Sequence, residues 1–189
     1  MRVATDIGGT FTDLVAVDDQ GKTILTKSHT TPPNFEEGVI KVIQKSGVCP
    51  QEIKDFIHGT TTIINALTER KGAKTALITT KGFRDVLEIA RCNRPDLFNM
   101  VFAKPRPFIP RYLRKEVEER VSFDGKIVTP LNEDDIRTAV EYFKKEKVEA
   151  IAVCYINSYA NDEHEKRTVE LIRKLWPEVF VTSSIEVTK

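Results

Sequence analysis

Cysteine is scarce. The chain has three in 189 residues, Cys49, Cys92 and Cys154, dozens of positions apart. An odd count with no CxxC pair excludes a disulfide framework and a zinc ribbon, and buried free thiols in a reducing compartment are expected instead. Charge of one sign is also missing: Lys+Arg 29 against Asp+Glu 28 leaves a net of +1, so charge does not indicate a nucleic-acid binder. Long apolar runs are absent. The longest stretch without Asp, Glu, Lys or Arg is Phe56–Thr68, 13 residues rich in threonine, short of the about 20 that a bilayer crossing needs. The N-terminus has one basic residue and then Asp6, without an apolar h-region, so no secretory signal is read there and a cytoplasmic protein is expected. Neither GxxxxGK[ST] nor GxGxxG occurs, which excludes a Walker loop and a Rossmann fingerprint.

What is present reads as a globular α/β chain. At 40% hydrophobic and 30% charged residues it can bury a core without staples. Val3–Ile7, Phe11–Val17 and Thr23–Thr30 predict a three-strand meander, with Asp18-Asp19-Gln20-Gly21 as its second turn. Asn34 is placed to cap a helix whose stripe is Phe35, Val39, Val42 and Ile43, ended by Gly47. A short strand at Phe56–Ile57, a helix through Ile63, Ile64 and Leu67 stopped by Gly72, and a strand at Lys74–Thr79 follow. Prolines at 95, 105, 107 and 110 make residues 82–130 irregular, with Glu116–Ser122 and Lys126–Val128 paired through Asp124-Gly125. Asn132 caps a helix with Ile136, Ala139, Val140 and Phe143 on one face, and Leu131 staples onto Ile136. Ala150–Tyr155 reads as a strand covered on both faces, Asp162–Trp176 as a helix ended by Pro177, and Val179–Thr182 as a last strand. The order implies a mixed sheet with an antiparallel edge and helices on both faces. Three parts are expected: residues 1–81 as a core that carries the glycine-threonine motifs read below as phosphate-binding, 82–130 as an irregular insertion and 131–189 as an αβαβ completion; the final element runs to Lys189 with no tail, which reads as a truncation.

The strongest local signal is Asp6-Ile7-Gly8-Gly9-Thr10-Phe11-Thr12-Asp13. A strand delivers a carboxylate to its C-terminal end, and two glycines then turn without Cβ atoms, so backbone N–H groups can approach an anion. Thr10 and Thr12, two residues apart, are expected on one side as hydroxyl donors. Asp6 and Asp13 would repel a bare phosphate, so a hard cation such as Mg2+, or water, must lie between. An ordinary Gly-Gly hairpin with solvated aspartates is the plainer alternative. The second signal is His58-Gly59-Thr60-Thr61-Thr62 at a strand-to-helix junction, where free N–H groups attract anions. Here Gly59 allows close approach, Thr60 or Thr61 caps the helix, and Asn65 one turn in can face the same cleft. The alternative is a threonine N-cap beside a core histidine.

At these residues the chain resembles the N-terminal region of the A-type subunits of ATP-dependent hydantoinases and oxoprolinases. The matching segments are DIGGTFTD at Asp6–Asp13, HGTT and the following NAL at His58–Leu67, KGFRDVLEIAR at Lys81–Arg91, RPDL at Arg94–Leu97, and SYANDEHE at Ser158–Glu165. The resemblance implies an actin-like, RNase H-type fold and ATP with Mg2+ as cofactors. It also implies a small cyclic amide such as a hydantoin or 5-oxoproline as substrate, with a second, C-terminal lobe and a B-type subunit as partners. It assigns Gly8, Gly9, Thr10 and Thr12 to the β- and γ-phosphates, with Gly59, Thr60 and Thr61 beside them. Asp6 would hold Mg2+ through water, Asp13 would support the loop or orient a water, and His58 would face the transferring phosphoryl group or the substrate carbonyl. Related members carboxylate ketones, and actin-like folds also supply regulatory reactivase modules; both stand as alternatives. With the adenosine pocket in the second lobe, this chain alone is expected to bind nucleotide weakly and not to turn over.

Weaker candidates remain. By residue type His164-Glu165 reads as a solvated first helical turn, and the resemblance adds a substrate or metal role. His29 reads as an edge residue. Seven basic residues and one acid between Ile89 and Lys115, interleaved with aromatics, could bind nucleic acid; the prolines favour a segment packing on another lobe or subunit, with Arg91 and Arg94 nearest an anionic substrate.

Overall fold

The computed structural model describes residues 1–91 and 98–188. Two compact units divide the chain, Met1–Gly72 and Ala73–Lys189.

The first unit opens with the expected meander: β1 (Arg2–Ile7), β2 (Phe11–Val17) and β3 (Thr23–His29), all antiparallel. Asp18 shapes the second turn by accepting from the backbone N–H of Gln20 and Lys22, both at 2.9 Å, while Gly21 takes φ 83°. Helix α1 (Phe35–Ser46) follows, ended by Gly47 in the left-handed region. Asn34 occupies the N-cap without a side-chain cap bond; its carbonyl instead accepts from Thr31 Oγ1 at 2.6 Å. Strand β4 (Asp55–Thr60) lies parallel to β1, giving the order β3-β2-β1-β4, and α2 (Thr62–Glu69) leaves its end. Arg70, at φ 54°, ends α2 two residues before the expected glycine.

Alternation along the strands sets two unlike faces. Val3, Leu14 and Ala16 pack with Val42 of α1 and with Val48 in the smaller core. The opposite face, carrying Asp6, Asp13, Val15 and Leu25, is open, so the expectation of helices on both faces is corrected here: among the described residues only α1 covers this sheet.

The second unit holds the larger core. Strand β5 (Thr75–Thr80), α3 (Val86–Ile89), β6 (Arg114–Val117) and the hairpin β7 (Arg120–Val121) and β8 (Ile127–Thr129) come first. Then follow α4 (Glu133–Lys145), β9 (Ala150–Cys154), α5 (Glu163–Leu175), β10 (Phe180–Ser183) and α6 (Ser184–Val187). The sheet runs β10-β9-β5-β6 and is parallel throughout. So β5 does not extend the first sheet, and residues 82–130 contribute a strand, β6, to the second. Helices α4 and α5 lie side by side over Ala76, Ile78, Ile151, Val153 and Val181. Ala152 is only half-buried and Cys154 exposed, so β9 is covered on one face rather than both. Asn132 caps α4 as expected, its Oδ1 accepting from the Asp134 N–H at 3.0 Å. Cys49 and Cys154 are exposed, not buried; Cys92 lies outside the described residues.

Candidate active site

The first unit brings the two glycine-threonine motifs together. Both β1 and β4 end at the same edge because they run parallel in register, with Asp6 opposite Gly59 and Ile7 opposite Thr60. Carboxyl ends of neighbouring parallel strands are the usual place for a ligand in α/β sheets. The Ile7 carbonyl accepts from the Thr61 N–H at 3.1 Å, which joins the first turn to the helix junction.

The turn is held from outside. The Gly8 N–H donates to the Phe11 carbonyl at 2.9 Å, the Gly8 carbonyl accepts from Thr30 Oγ1 at 2.9 Å, and the Thr10 carbonyl accepts from the Thr30 N–H at 3.0 Å. The N–H groups of Gly9 and Thr10 donate to no protein acceptor among the described residues. Beside them, α2 begins with Thr60 Oγ1 accepting from the Thr62 N–H at 3.1 Å and pairing with Thr62 Oγ1 at 2.7 Å. The next first-turn N–H groups have no side-chain cap. Unpaired amides at a turn and at a helix start form an anion-binding donor set. Asn65 belongs to it: its Nδ2 donates to Thr61 Oγ1 at 3.3 Å, and a Cβ at Gly9 would lie 3.2 Å from that same nitrogen.

Asp6 and Asp13 are direct cross-strand partners and project to the open face. Lys27 Nζ lies 3.9 Å from Asp13, whereas Asp6 has no ion-pair partner among the described residues. Gly59 is what lets the Asp6 carboxylate lie against β4, since a Cβ there would meet Asp6 Oδ1 at 3.3 Å. No group of three or more His, Cys, Asp or Glu side chains among the described residues could cage a metal. Two carboxylates beside unpaired amides instead suit a hard cation shared with phosphate oxygens and water.

Two assignments are corrected by strand parity. Thr12 shares the face of Leu14 and Ala16, is 0% exposed, and meets Thr30 Oγ1 at 3.2 Å. It cannot reach a phosphate; it supports Thr30, which holds the turn. His58 shares the face of Thr5, whose Oγ1 lies 2.9 Å from its Nδ1, and stacks on Phe56. The imidazole therefore lies on the face opposite Asp6. Thr5 and Thr30 were not singled out from the sequence, although Thr30 follows the flagged His29, which stacks on Phe11 at the edge as expected.

The remaining candidates lie in the second unit. Arg91 is exposed; Arg94, with the RPDL segment, lies outside the described residues. His164 and Glu165 are buried, not solvated. His164 Nδ1 is 2.8 Å from Glu119 Oε2, and Thr80 Oγ1 donates to the other oxygen of that carboxylate. Glu165 accepts from the Tyr155 N–H at 2.9 Å, Ser184 Oγ at 2.7 Å and the Ile185 N–H at 3.2 Å. The Tyr155 hydroxyl pairs with Thr168 at 3.0 Å, and burial pushes its phenol well above the usual range. These contacts tie the ends of β5, β9 and β10 to the start of α5. Of the basic run, Arg114 is fully buried, donating to the carbonyls of Ile109 and Arg84 and to Glu88, and Arg111 grips Asp85 at 2.7 and 3.0 Å. Both guanidinium groups are thus engaged within the second unit.

The fold and this edge define a mixed α/β chain in which two glycine-threonine turns meet at the carboxyl ends of neighbouring parallel strands. Residues 2–176 match the family described as the hydantoinase/oxoprolinase N-terminal region, and the chain belongs to that family. It is 35% identical to the caprolactamase subunit alpha of Pseudomonas jessenii, covering 98% of this chain and 28% of that protein. The crystal structure of the ATP-dependent caprolactamase from that organism superposes with a TM-score of 0.81 at 33% identity, over 98% of this chain and 28% of the other. A nucleotide-free acetone carboxylase structure superposes at 0.87 and 26% identity, over 98% and 29%. The chain thus spans less than a third of the relatives it matches.

Proposed function

We propose that this chain is the phosphate-binding N-terminal part of an ATP-dependent enzyme that opens a cyclic amide. The observation that carries the reading is the adjacency of the unpaired Gly9 and Thr10 amides to the α2 start, with Asp6 and Asp13 paired beside them. Gly8, Gly9, Thr10, Gly59, Thr60 and Thr61 would surround the phosphates; Asn65 would orient the Thr61 side of the cradle. Asp6, free of an ion pair among the described residues, would hold magnesium through water, and Asp13, tempered by Lys27, would orient a water on the same face.

A ring amide is a poor electrophile because its nitrogen donates into the carbonyl. ATP bound at the cradle supplies a phosphoryl group able to activate that carbonyl oxygen. The chain's own part is positioning and charge neutralisation, which dominate phosphoryl transfer. Caprolactam is a cyclic amide, and the relative named for it covers this chain almost throughout. Ketone carboxylation is the second reading, favoured by the TM-score of 0.87 to acetone carboxylase. Phosphate release by the whole A-type protein with its partner subunit, screened against lactams, hydantoins and ketones with bicarbonate, separates the two. Asp6→Ala and Thr10→Ala should abolish that release while leaving the fold intact. Unchanged rates in both variants would remove the cradle assignment.

A further inference from the structure

The first sheet leaves a continuous apolar row on its open face. Cross-strand register places Leu25 opposite Val15, Val15 opposite Ala4, and Ala4 opposite Ile57, so the row crosses all four strands. Leu25 is 75%, Val15 40% and Ile57 63% exposed. Helix α2 repeats the pattern with Ile63, Ile64 and Leu67, all exposed. Apolar residues aligned in one row of a sheet are what a packed face needs, and scattered surface residues would not give that alignment. One row further along the same strands lie Asp6, Asp13 and Lys27.

Size decides between occupants. Four strands spaced about 4.8 Å apart, with six residues at about 3.3 Å each, offer on the order of 400 Å². A stable association of separate molecules needs about 800 Å² per partner. A second copy meeting this face would therefore fall short. A covalently attached segment meets no such threshold, because its effective concentration is set by the tether. Relatives in this family carry the region as only 28% of a longer polypeptide.

We infer that the open face is the seat of the remaining polypeptide of an A-type subunit, which lays an apolar element over Leu25, Val15 and Ile57. Whatever covers that row also roofs the neighbouring Asp6–Asp13 row. The inference rests on family membership and exposure, not on the phosphate reading; a face that proves covered in a protein without ATP chemistry leaves it standing.

The test compares this chain alone with the same chain joined to the remaining 72% of the Pseudomonas jessenii caprolactamase alpha subunit. Hydroxyl-radical labelling of Leu25, Val15 and Ile57 should slow at least fivefold in the long form. Val15→Lys with Leu25→Lys should restore the fast rate at Ile57, yet leave the melting temperature of the short chain within about 2 °C, since both replaced side chains are exposed in it. Equal labelling in both forms overturns the inference. The short chain provides an independent arm: it should sediment as a monomer at 100 µM, and a dimer that the lysine pair dissociates would make the occupant a second copy and also overturn it.

Discussion

Glu165 offers the sharpest separation between a structural and a chemical role. Its carboxylate is 0% exposed, has no cationic partner among the described residues, and accepts from Tyr155, Ser184 and Ile185. Truncation to alanine strands those donors. A buried donor without an acceptor costs about 1–3 kcal/mol. Ser184 can turn to Ser158, 3.2 Å away, so two backbone N–H groups carry most of the loss. With the vacated volume added, Glu165→Ala should cost about 3–5 kcal/mol. Glu165→Gln keeps an acceptor for Tyr155 and Ser184 but turns an NH2 toward the Ile185 N–H, so about 1–3 kcal/mol is expected. In a chain of this length each kcal/mol lowers the melting midpoint by roughly 2–4 °C. The alanine variant should therefore melt roughly 6–20 °C early and the glutamine variant between it and the parent, by circular dichroism and by urea titration. A loss under about 1 kcal/mol for Glu165→Ala would refute the staple and return the residue to the substrate side.

Other consequences are narrower. Phe143→Ala, at a fully buried ring of α4, should cost about 3–5 kcal/mol, whereas Phe180→Ala at an exposed ring should stay within about 0.5 kcal/mol; similar losses would contradict the placement of the core. Thr12→Val should cost about 1 kcal/mol and spare phosphate release in the long enzyme, because Thr30 keeps its bond to Gly8; a tenfold drop in release would put Thr12 back among the phosphate ligands. Gly59→Ala sets a methyl 3.3 Å from Asp6 Oδ1 and should slow phosphate release while the fold persists; wild-type rates would sever Asp6 from the chemistry. Arg111 holds the Asp85 carboxyl below the usual carboxylate range, so their contact contributes fully above about pH 4 and is lost as pH falls through the lowered value. An ordinary titration midpoint for Asp85 by NMR would contradict that pairing.

Local patterns carried most of the fold. The ends of β2, the Gly47 stop, the Asn132 cap and the stripe of α4 are set by neighbours within a few residues, and all stand where alternation and turn chemistry put them. Long-range pairings were not legible. Strand β6 reads Arg-Lys-Glu-Val, as polar as a loop, and becomes a strand because β5 hydrogen-bonds it. Arg114, one of the seven basic residues of the aromatic-interleaved run, is buried because Glu88 and the Arg84 carbonyl, 26 and 30 residues away, close on it together with the nearby Ile109 carbonyl. The partner of His164 lies 45 residues away, with nothing local to announce it. Of the two misplaced site residues, one was readable. Thr12 alternates with Leu14 and Ala16, so period-2 counting sets it on the core face, whereas the face of His58 follows only from the register of β4 against β1.

Among the described residues strand β4 ends the first sheet with no neighbour on its outer side, and all six of its residues are exposed. Its outward N–H and C=O groups form a ready template for another extended segment. Lys54 just before it and Asp55 at its first position guard only its start, so the glycine-threonine end carries no charge of its own. Well above about 100 µM, preparations of the isolated chain are therefore prone to zip into ribbons from this rim. A lysine placed at Ile57 would be the economical remedy for storage.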